Sequence, residues 1–159
     1  NTTAAIAVAL KEADTQEFKD YAAQIVANAK TLAEQLNSHG FRLVTGGTDN
    51  HLILFETLKC KGISGRDAAR ALDKAGIVTN CNTVPFDTGS PFNPSGVRIG
   101  TPAVTSRGMK EAEMKKLGDW MSAAIDNADD NAKLASIAQE VEELCESFDC
   151  PGITPSNWA

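Results

Sequence analysis

The sequence predicts an α+β fold in which a small, mostly antiparallel sheet is flanked by helices. Two observations lead to this prediction. Both ends of the 159-residue chain carry apolar residues at helical spacing. The middle holds short apolar runs separated by Gly, Pro, Asn and Asp. With 42% hydrophobic and 23% charged residues, the composition is that of one globular domain with a sizeable core covered by packed layers.

The first element is a long helix over residues 4–38, with a break near residues 13–15. Thr15 favours a second helix start, because a side-chain oxygen at this position can accept a bond from a free backbone N–H. Gly40 ends the helix. Beyond the break, apolar side chains recur three, four or seven residues apart at Phe18, Tyr21, Ile25, Leu32 and Leu36. The earlier part, TTAAIAVALKEA, is apolar nearly all round, which is typical of a helix that is buried or lies between domains.

Two strands follow, over residues 41–44 and 51–57. The segment between them, TGGTDN, has the composition of a tight turn, so the two strands should form a hairpin. A phosphate-binding loop is the weaker interpretation, because such a loop opens into a helix and a strand follows here. We expect Asp49 and Asn50 to accept hydrogen bonds from backbone amides of the turn.

Residues 60–65 are predicted to be a loop. Ser64, with Asp67 three residues later, predicts the start of a helix over residues 66–76, which Gly76 closes.

A third strand is predicted over residues 77–80 and a fourth over residues 97–99. The loop between them, residues 81–96, holds three prolines and two glycines. In the fourth strand Val97 and Ile99 should face one side of the sheet and Arg98 the other.

The remainder of the chain is predicted to be helical, with an irregular tail over residues 151–159. One amphipathic stripe consists of Met114, Leu117, Met121 and Ile125, and a second of Ile137, Val141, Leu144 and Phe148.

The charge is unevenly distributed. Residues 1–100 hold ten basic and ten acidic side chains, whereas residues 101–159 hold five basic and eleven acidic ones. An acidic end argues against nucleic acid or anionic lipid as a partner. The apolar run AAIAVAL is too short to span a bilayer. None of the four cysteines forms a Cys-x-x-Cys pair, so we expect reduced thiols, no metal site and a cytoplasmic protein.

The stretch from residue 81 to residue 102 is the strongest candidate site. A long Pro/Gly-rich loop within a compact domain is uncommon and is often functional. Asn82 can both donate and accept hydrogen bonds, which suits a heterocyclic amide. Arg98 offers a planar fork that matches a carboxylate, and its alternative role is a surface salt bridge.

Four blocks of the chain, GGTDNH, NTVPFD, SPF and SGVRIGTPAVTSRG, resemble serine hydroxymethyltransferase. The similarity runs through essentially the whole chain. It implies a pyridoxal-phosphate (PLP) enzyme that interconverts serine and glycine and transfers a one-carbon unit to tetrahydrofolate.

The resemblance also assigns residues. It implies that Arg98 binds the α-carboxylate of serine or glycine, which orients the bond to be broken perpendicular to the PLP ring. It implies that Asn82 bonds the pteridine of tetrahydrofolate, within a folate site that includes Thr83, Val84 and Pro85. Cys81 stands where many members have lysine, so this chain lacks that charge for the glutamate tail of folate.

The resemblance covers only the C-terminal part of that enzyme. Residues 1–38 would be the long connecting helix region, and residues 39–159 the small C-terminal domain of a fold type I PLP transferase. The PLP-anchoring lysine lies upstream in a Ser/Thr-rich His-Lys motif that this sequence lacks, so the chain should contain no catalytic residue, bind no cofactor and be inactive alone. The implied partners are the N-terminal large domain and further copies in a homodimer or tetramer.

Two alternatives remain open on the sequence. The chain could be the C-terminal domain of another fold type I PLP enzyme, such as a threonine aldolase, which shares the carboxylate-binding arginine and needs no folate. It could also be a non-enzymatic module that binds small molecules.

Overall fold

A computed structural model describes residues 1–152 of the chain. Their helices are α1 (Thr2–Ala13), α2 (Gln16–Ser38), α3 (Leu58–Lys61), α4 (Gly65–Lys74), α5 (Pro102–Ser106), α6 (Glu111–Asp126) and α7 (Asn131–Glu146). Their strands are β1 (Arg42–Leu43), β2 (Leu52–Glu56), β3 (Asn80–Asn82) and β4 (Gly96–Gly100). Most of the tail predicted over residues 151–159 lies outside the described residues.

The four strands form one sheet in the order β1-β2-β4-β3, and every neighbouring pair is antiparallel. The chain reaches β4 only after passing through α3, α4 and β3, so β4 enters between β2 and β3. The predicted α+β class, with a small antiparallel sheet flanked by helices, is therefore confirmed. The predicted hairpin is confirmed as well, with Arg42 opposite Glu56 and Leu43 opposite Phe55.

The core lies between one face of the sheet and the helices. Ile53, Phe55 and Val97 point into it and are fully buried or nearly so. Further buried side chains come from α2, α4, α6 and α7, including Leu32, Leu36, Leu72, Met114, Met121, Ile125, Leu134 and Ile137. Side chains alternate along a strand, so Leu54 and Arg98 point to the opposite face.

The local helix signals are confirmed. The side-chain oxygen of Thr15 accepts a hydrogen bond from the Phe18 amide at 3.3 Å, and α2 begins there. Ser64 accepts one from the Asp67 amide at 3.1 Å at the start of α4. Gly40 takes a left-handed conformation (φ +81°) just after α2, as a residue that follows a helix end often does.

Several predicted boundaries are wrong. The first two strands are shorter than residues 41–44 and 51–57, and the helix predicted over residues 66–76 is Gly65–Lys74. The third strand is Asn80–Asn82 and not residues 77–80. The Ile77 side chain is buried in the core after α4 ends, and pairing with β4 starts only at Asn80. The loop after it is correspondingly shorter than residues 81–96, and the fourth strand extends one residue beyond 97–99 at each end.

The loop predicted over residues 60–65 begins with part of α3. The amides of Lys61 and Gly62 bond the carbonyls of Thr57 and Leu58 at 2.8 and 2.9 Å, which closes a single helical turn.

In the turn between β1 and β2, the prediction holds for Asn50 only. Its side-chain oxygen accepts from the Leu52 amide at 2.8 Å. The other side chain that bonds the backbone of the turn is Thr48 and not Asp49. Its hydroxyl accepts from the Asn50 amide at 3.2 Å and donates to the Leu52 carbonyl at 2.7 Å. Asp49 makes no such bond within residues 1–152 and faces a groove instead.

Candidate functional site

Arg98 projects from the middle of the sheet on the face opposite to the core. It lies on β4 directly opposite Leu54 of β2 and Asn80 of β3. Its side chain is exposed, and its guanidinium makes no hydrogen bond or ion pair within the described residues. The alternative role of Arg98 as half of a salt bridge is therefore not seen in residues 1–152.

The neighbours of Arg98 on β4 hold it in this direction. Val97 is completely buried, and Ile99 packs against the core from the same side. Turning Arg98 inward would expose both apolar side chains, since a shift by one residue exchanges the two faces of a strand. The predicted facing of these three residues is confirmed.

The start of β4 is fixed by bonds to the segment that links β2 to α4. The Ser95 carbonyl accepts from the Thr57 amide at 2.9 Å and from the Leu58 amide at 3.2 Å. The Gly65 amide donates to the Pro94 carbonyl at 2.8 Å. Gly65 and Gly96 lie so close that a Cβ at Gly65 would be 2.1 Å from the Gly96 carbonyl oxygen.

The end of β4 is fixed by a buried polar network. The Thr101 hydroxyl donates to the Ile25 carbonyl of α2 at 2.8 Å. The Thr105 hydroxyl donates to the Thr101 carbonyl at 2.7 Å, and Asn28 donates to the Thr105 hydroxyl at 2.8 Å and to the Met109 carbonyl at 2.9 Å. Buried polar groups with partners of this kind restrict a segment to one geometry. Arg98 is thus held at both ends of its strand.

Arg98 also lines an open groove of about 740 Å³ between α2 and the β1–β2 turn. Its polar lining includes Lys30, Glu34, Asn37, Thr45, Thr48, Asp49 and Asn50. The sequence interpretation assigned TGGTDN to a turn alone and missed that this turn forms a wall beside Arg98. The signal was the number of polar side chains at the tip, which is more than a tight turn needs.

Asn82 lies on the same face as Arg98. It is opposite Gly96 on β4 and two residues beyond Asn80, the direct partner of Arg98. Its amide donates to the Thr83 carbonyl at 2.8 Å, which leaves its side-chain oxygen without a partner among residues 1–152. The structure therefore brings the predicted amide and guanidinium together on one surface.

The other predicted folate residues differ in exposure. Thr83 and Pro85 are exposed, whereas the Val84 side chain is buried and packs over Gly96. None of these three residues lines the groove beside Arg98. Cys81 is opposite Val97, so its side chain projects from the other face of the sheet than the Asn82 side chain does.

Asp87 organises the loop between β3 and β4. Its Oδ2 accepts from the Val84 amide at 3.1 Å and the Ser95 amide at 2.9 Å. Its Oδ1 accepts from the Gly89 amide at 2.7 Å and the Ser95 hydroxyl at 2.5 Å. The hydrogen bond from the Ser95 hydroxyl is the main cause that holds the pKa of Asp87 well below its usual range. Desolvation acts in the opposite direction, and the bonds from the three amides lower the pKa further. Sequence reasoning missed this residue; the signal was an Asp in a Gly/Ser-rich loop.

Phe86 has an unusual backbone within this loop. Its φ is +58°, the only positive φ at a non-glycine residue in the described chain, and its side chain is 99% exposed. A bulky residue in this conformation is strained, so its surroundings must hold it. Asp87 does so, because its amide donates to the Val84 carbonyl at 3.0 Å and its carboxylate accepts from the Val84 amide.

No cluster of three or more His, Cys, Asp or Glu in residues 1–152 could hold a metal ion. No helix of this described part is long and apolar enough to cross a membrane.

The comparison with known families identifies the protein family. The family model described as "Serine hydroxymethyltransferase" matches residues 1–121. The chain belongs to the serine hydroxymethyltransferase family. This confirms the resemblance found in the sequence blocks and supports the first of the three interpretations.

Relatives in the serine hydroxymethyltransferase family are close. The serine hydroxymethyltransferases of Sorangium cellulosum and Desulfotalea psychrophila are each 59% identical over 153 residues, covering 96% of this chain and 36% of the relative. That of Acidothermus cellulolyticus is 56% identical over 159 residues, covering 96% of this chain and 37% of the relative. The chain therefore spans about a third of the length of the curated relatives it matches.

The blocks that resemble serine hydroxymethyltransferase surround Arg98 in space. GGTDNH forms the wall of the groove, and NTVPFD runs from the end of β3 to Asp87. SGVRIGTPAVTSRG contains β4 and the α5 network that fixes it. Two of these blocks thus border or position the Arg98 guanidinium, and NTVPFD forms the segment between Asn82 and Asp87.

Proposed function

We propose that this chain is the C-terminal part of a serine hydroxymethyltransferase and that the full-length protein interconverts serine and glycine with transfer of a one-carbon unit to tetrahydrofolate. The observation behind the proposal is the exposed Arg98 guanidinium, which has no partner within residues 1–152 and is held at both ends of its strand. Family membership supplies the reaction class.

Arg98 would bind the α-carboxylate of the amino acid. Its fork of N–H donors can make two parallel bonds to the two carboxylate oxygens. Such a pair fixes the orientation of the substrate as well as its position, which is the contribution that a catalytic step needs from a binding group. Val97, buried on the other face, prevents Arg98 from turning away.

PLP would supply the electron sink for the reaction when bound. The residues of this chain fit such a site in one respect, which is the carboxylate site at Arg98. The sequence contains no Ser/Thr-rich His-Lys motif, so the anchor of the cofactor would lie outside this chain. We therefore propose that the chain alone does not catalyse the reaction.

The folate site would be formed by Asn82, Thr83, Val84 and Pro85. Asn82 has a side-chain oxygen available for the pteridine, and Thr83 and Pro85 are exposed beside it. Val84 is buried and would act by shaping the backbone of this segment. Since the Cys81 side chain projects from the other face of the sheet, it would not take part in this contact.

The partners would be the N-terminal large domain and further copies in a homodimer or tetramer, in the cytoplasm. Residues 1–38 would connect the large domain to the small one formed by residues 39–159. α1 supports a partner surface, because it buries no residue within the described chain and exposes Ile6, Val8 and Leu10 by more than half.

The test uses the full-length protein with PLP, serine and tetrahydrofolate, measuring the glycine formed. We expect turnover that depends on both substrates. Arg98→Lys keeps the charge and loses the fork, so kcat/KM for serine should fall by about 10- to 100-fold while PLP content is unchanged.

Arg70→Lys is the matched control, because Arg70 is exposed on α4, far from the sheet face of Arg98. Unchanged serine affinity in Arg98→Lys, or an equal loss in both variants, would contradict the assignment. Turnover by the 159-residue chain alone would contradict its proposed inactivity.

A further inference from the structure

We infer that Asp87 is a positioning residue that holds the segment 82–85 in place for tetrahydrofolate while leaving the carboxylate site at Arg98 unaffected. The inference rests on the proposed function and goes beyond it, because it separates the two halves of the site by the contacts that hold each one.

The bonds of Asp87 join two parts of the site. Each carboxylate oxygen accepts one bond from the loop, at Val84 or Gly89, and one from Ser95 at the start of β4. Ser95 is 2% exposed and Asp87 is half-buried, so both of its bonds to Asp87 are partly shielded from solvent. One side chain thus ties the end of the segment 82–85 to the framework of the sheet.

Asn82, at the start of this segment, is held by β3, where it pairs with Gly96, but the loop has few other anchors near residues 83–85. The bond from the Asn93 amide to the Ser90 carbonyl at 2.9 Å is internal to the loop. Arg66 reaches the Phe92 carbonyl at 3.4 Å, and Gly65 bonds Pro94 at 2.8 Å, but both contacts lie at the far end. Val84 packs over Gly96, which limits how far the loop can move without fixing its direction.

Arg98, in contrast, does not need Asp87. β4 pairs along its length with β2 and at three positions with β3. The bonds from the Thr57 and Leu58 amides to the Ser95 carbonyl do not involve the Asp87 side chain, so we expect them to remain in its absence. Loss of the carboxylate should therefore release the loop and leave the strand in place.

The experiment compares Asp87→Ala, Asp87→Asn and Ser95→Ala in the full-length protein. Asp87→Ala removes both carboxylate oxygens and with them all four hydrogen bonds, and we expect the KM for tetrahydrofolate to rise by about tenfold or more. Folate-independent aldol cleavage of a 3-hydroxy amino acid should change by less than about twofold, since it requires only the carboxylate site.

The two milder variants test whether the rise in KM for tetrahydrofolate follows the number of hydrogen bonds lost. Asp87→Asn replaces one carboxylate oxygen by an NH₂ group, which faces two donors and can accept from neither. Ser95→Ala removes one bond of the four. The expected order of KM for tetrahydrofolate is Asp87→Ala, then Asp87→Asn, then Ser95→Ala. Asp73→Ala is the control, because Asp73 is exposed on α4.

A ligand-free measurement separates this inference from the proposed function. Amide hydrogen exchange should become faster in residues 83–95 of Asp87→Ala and stay unchanged in residues 96–100. If the wild-type protein fails to act on tetrahydrofolate, the proposed function fails, and the exchange data still test the anchor.

Three results would overturn the inference. One is a KM for tetrahydrofolate that does not change in Asp87→Ala. Another is an equal loss of folate-dependent and folate-independent activity, as a merely structural role would give. The third is exchange that accelerates equally in the loop and in β4, or in neither.

Discussion

Asn80 and Arg98 stand directly opposite each other across the β3–β4 pair, and both side chains leave the same face of the sheet. Asn82 follows two residues along that face. A diagonal neighbour of this kind lies about 7–8 Å away, which is close enough for two groups to contact different parts of one bound assembly. This relationship joins a guanidinium suited to a carboxylate with an amide suited to a heterocycle.

Asn82→Ala should weaken tetrahydrofolate binding in the full-length protein and spare folate-independent aldol cleavage. The loss of one hydrogen bond to the ligand corresponds to about 1 kcal/mol, or about a fivefold rise in KM. Steady-state kinetics with both reactions make the comparison, and Asn131→Ala on α7 is the control. If both activities fall together, Asn82 is not the folate ligand.

Gly65→Ala should destabilise the protein, because the new Cβ would lie 2.1 Å from the backbone oxygen of Gly96. Overpacking against backbone costs about 1–3 kcal/mol or more, since neither α4 nor β4 can yield without losing other contacts. The melting temperature of the full-length protein tests this. Gly47→Ala is a matched control, because a Cβ at Gly47 meets nothing within 4 Å. Equal melting temperatures for the two variants would contradict the close approach of α4 and β4.

Asn28→Ala should cost about 1–3 kcal/mol of stability, because it leaves buried acceptors without their donor. Asn28 is completely buried, and its amide bonds Thr105 and the Met109 carbonyl. Denaturant unfolding of Asn28→Ala beside Asn37→Ala, an exposed asparagine of the same helix, isolates the effect of burial. Wild-type stability in Asn28→Ala would show that the network does not hold α5 to α2.

Asp119 should make a contribution to stability that disappears in acid. The hydrogen bond from His39 at 2.6 Å is the main cause that lowers the pKa of the Asp119 carboxyl in the folded state, with a further bond from Gln35. A lowered folded-state pKa stabilises the fold above the unfolded pKa of about 4, and this contribution is lost as the pH falls through the folded value.

The difference in melting temperature between wild type and Asp119→Asn should therefore be present at neutral pH and vanish in acid. It should be small, because the Asp119 side chain is 55% exposed and the pair is screened by solvent. Thermal melts at neutral pH and below about pH 3 test this, with Asp73→Asn as control. A difference that grows in acid would contradict the assignment.

The local features of this protein follow from the sequence alone. Thr15 and Ser64 cap helices where the sequence places them, because a cap needs only a side-chain oxygen and an amide a few residues away. The facing of Arg98 was also determined locally, since alternation along a strand follows from backbone geometry alone. The motif blocks then gave the family, which the comparison confirms.

Which residues contact each other depends on the tertiary structure. β3 begins at Asn80 and not at residue 77, because strand register depends on pairing with β4, which is distant in the sequence. The groove wall beside Arg98 comes from a turn about fifty residues earlier in the chain. Asp87 gathers donors from Val84, Gly89 and Ser95, a convergence that no spacing rule predicts. Hydrogen bonds between residues that are close in sequence can be predicted from the sequence, whereas contacts between distant residues form only once the chain has folded.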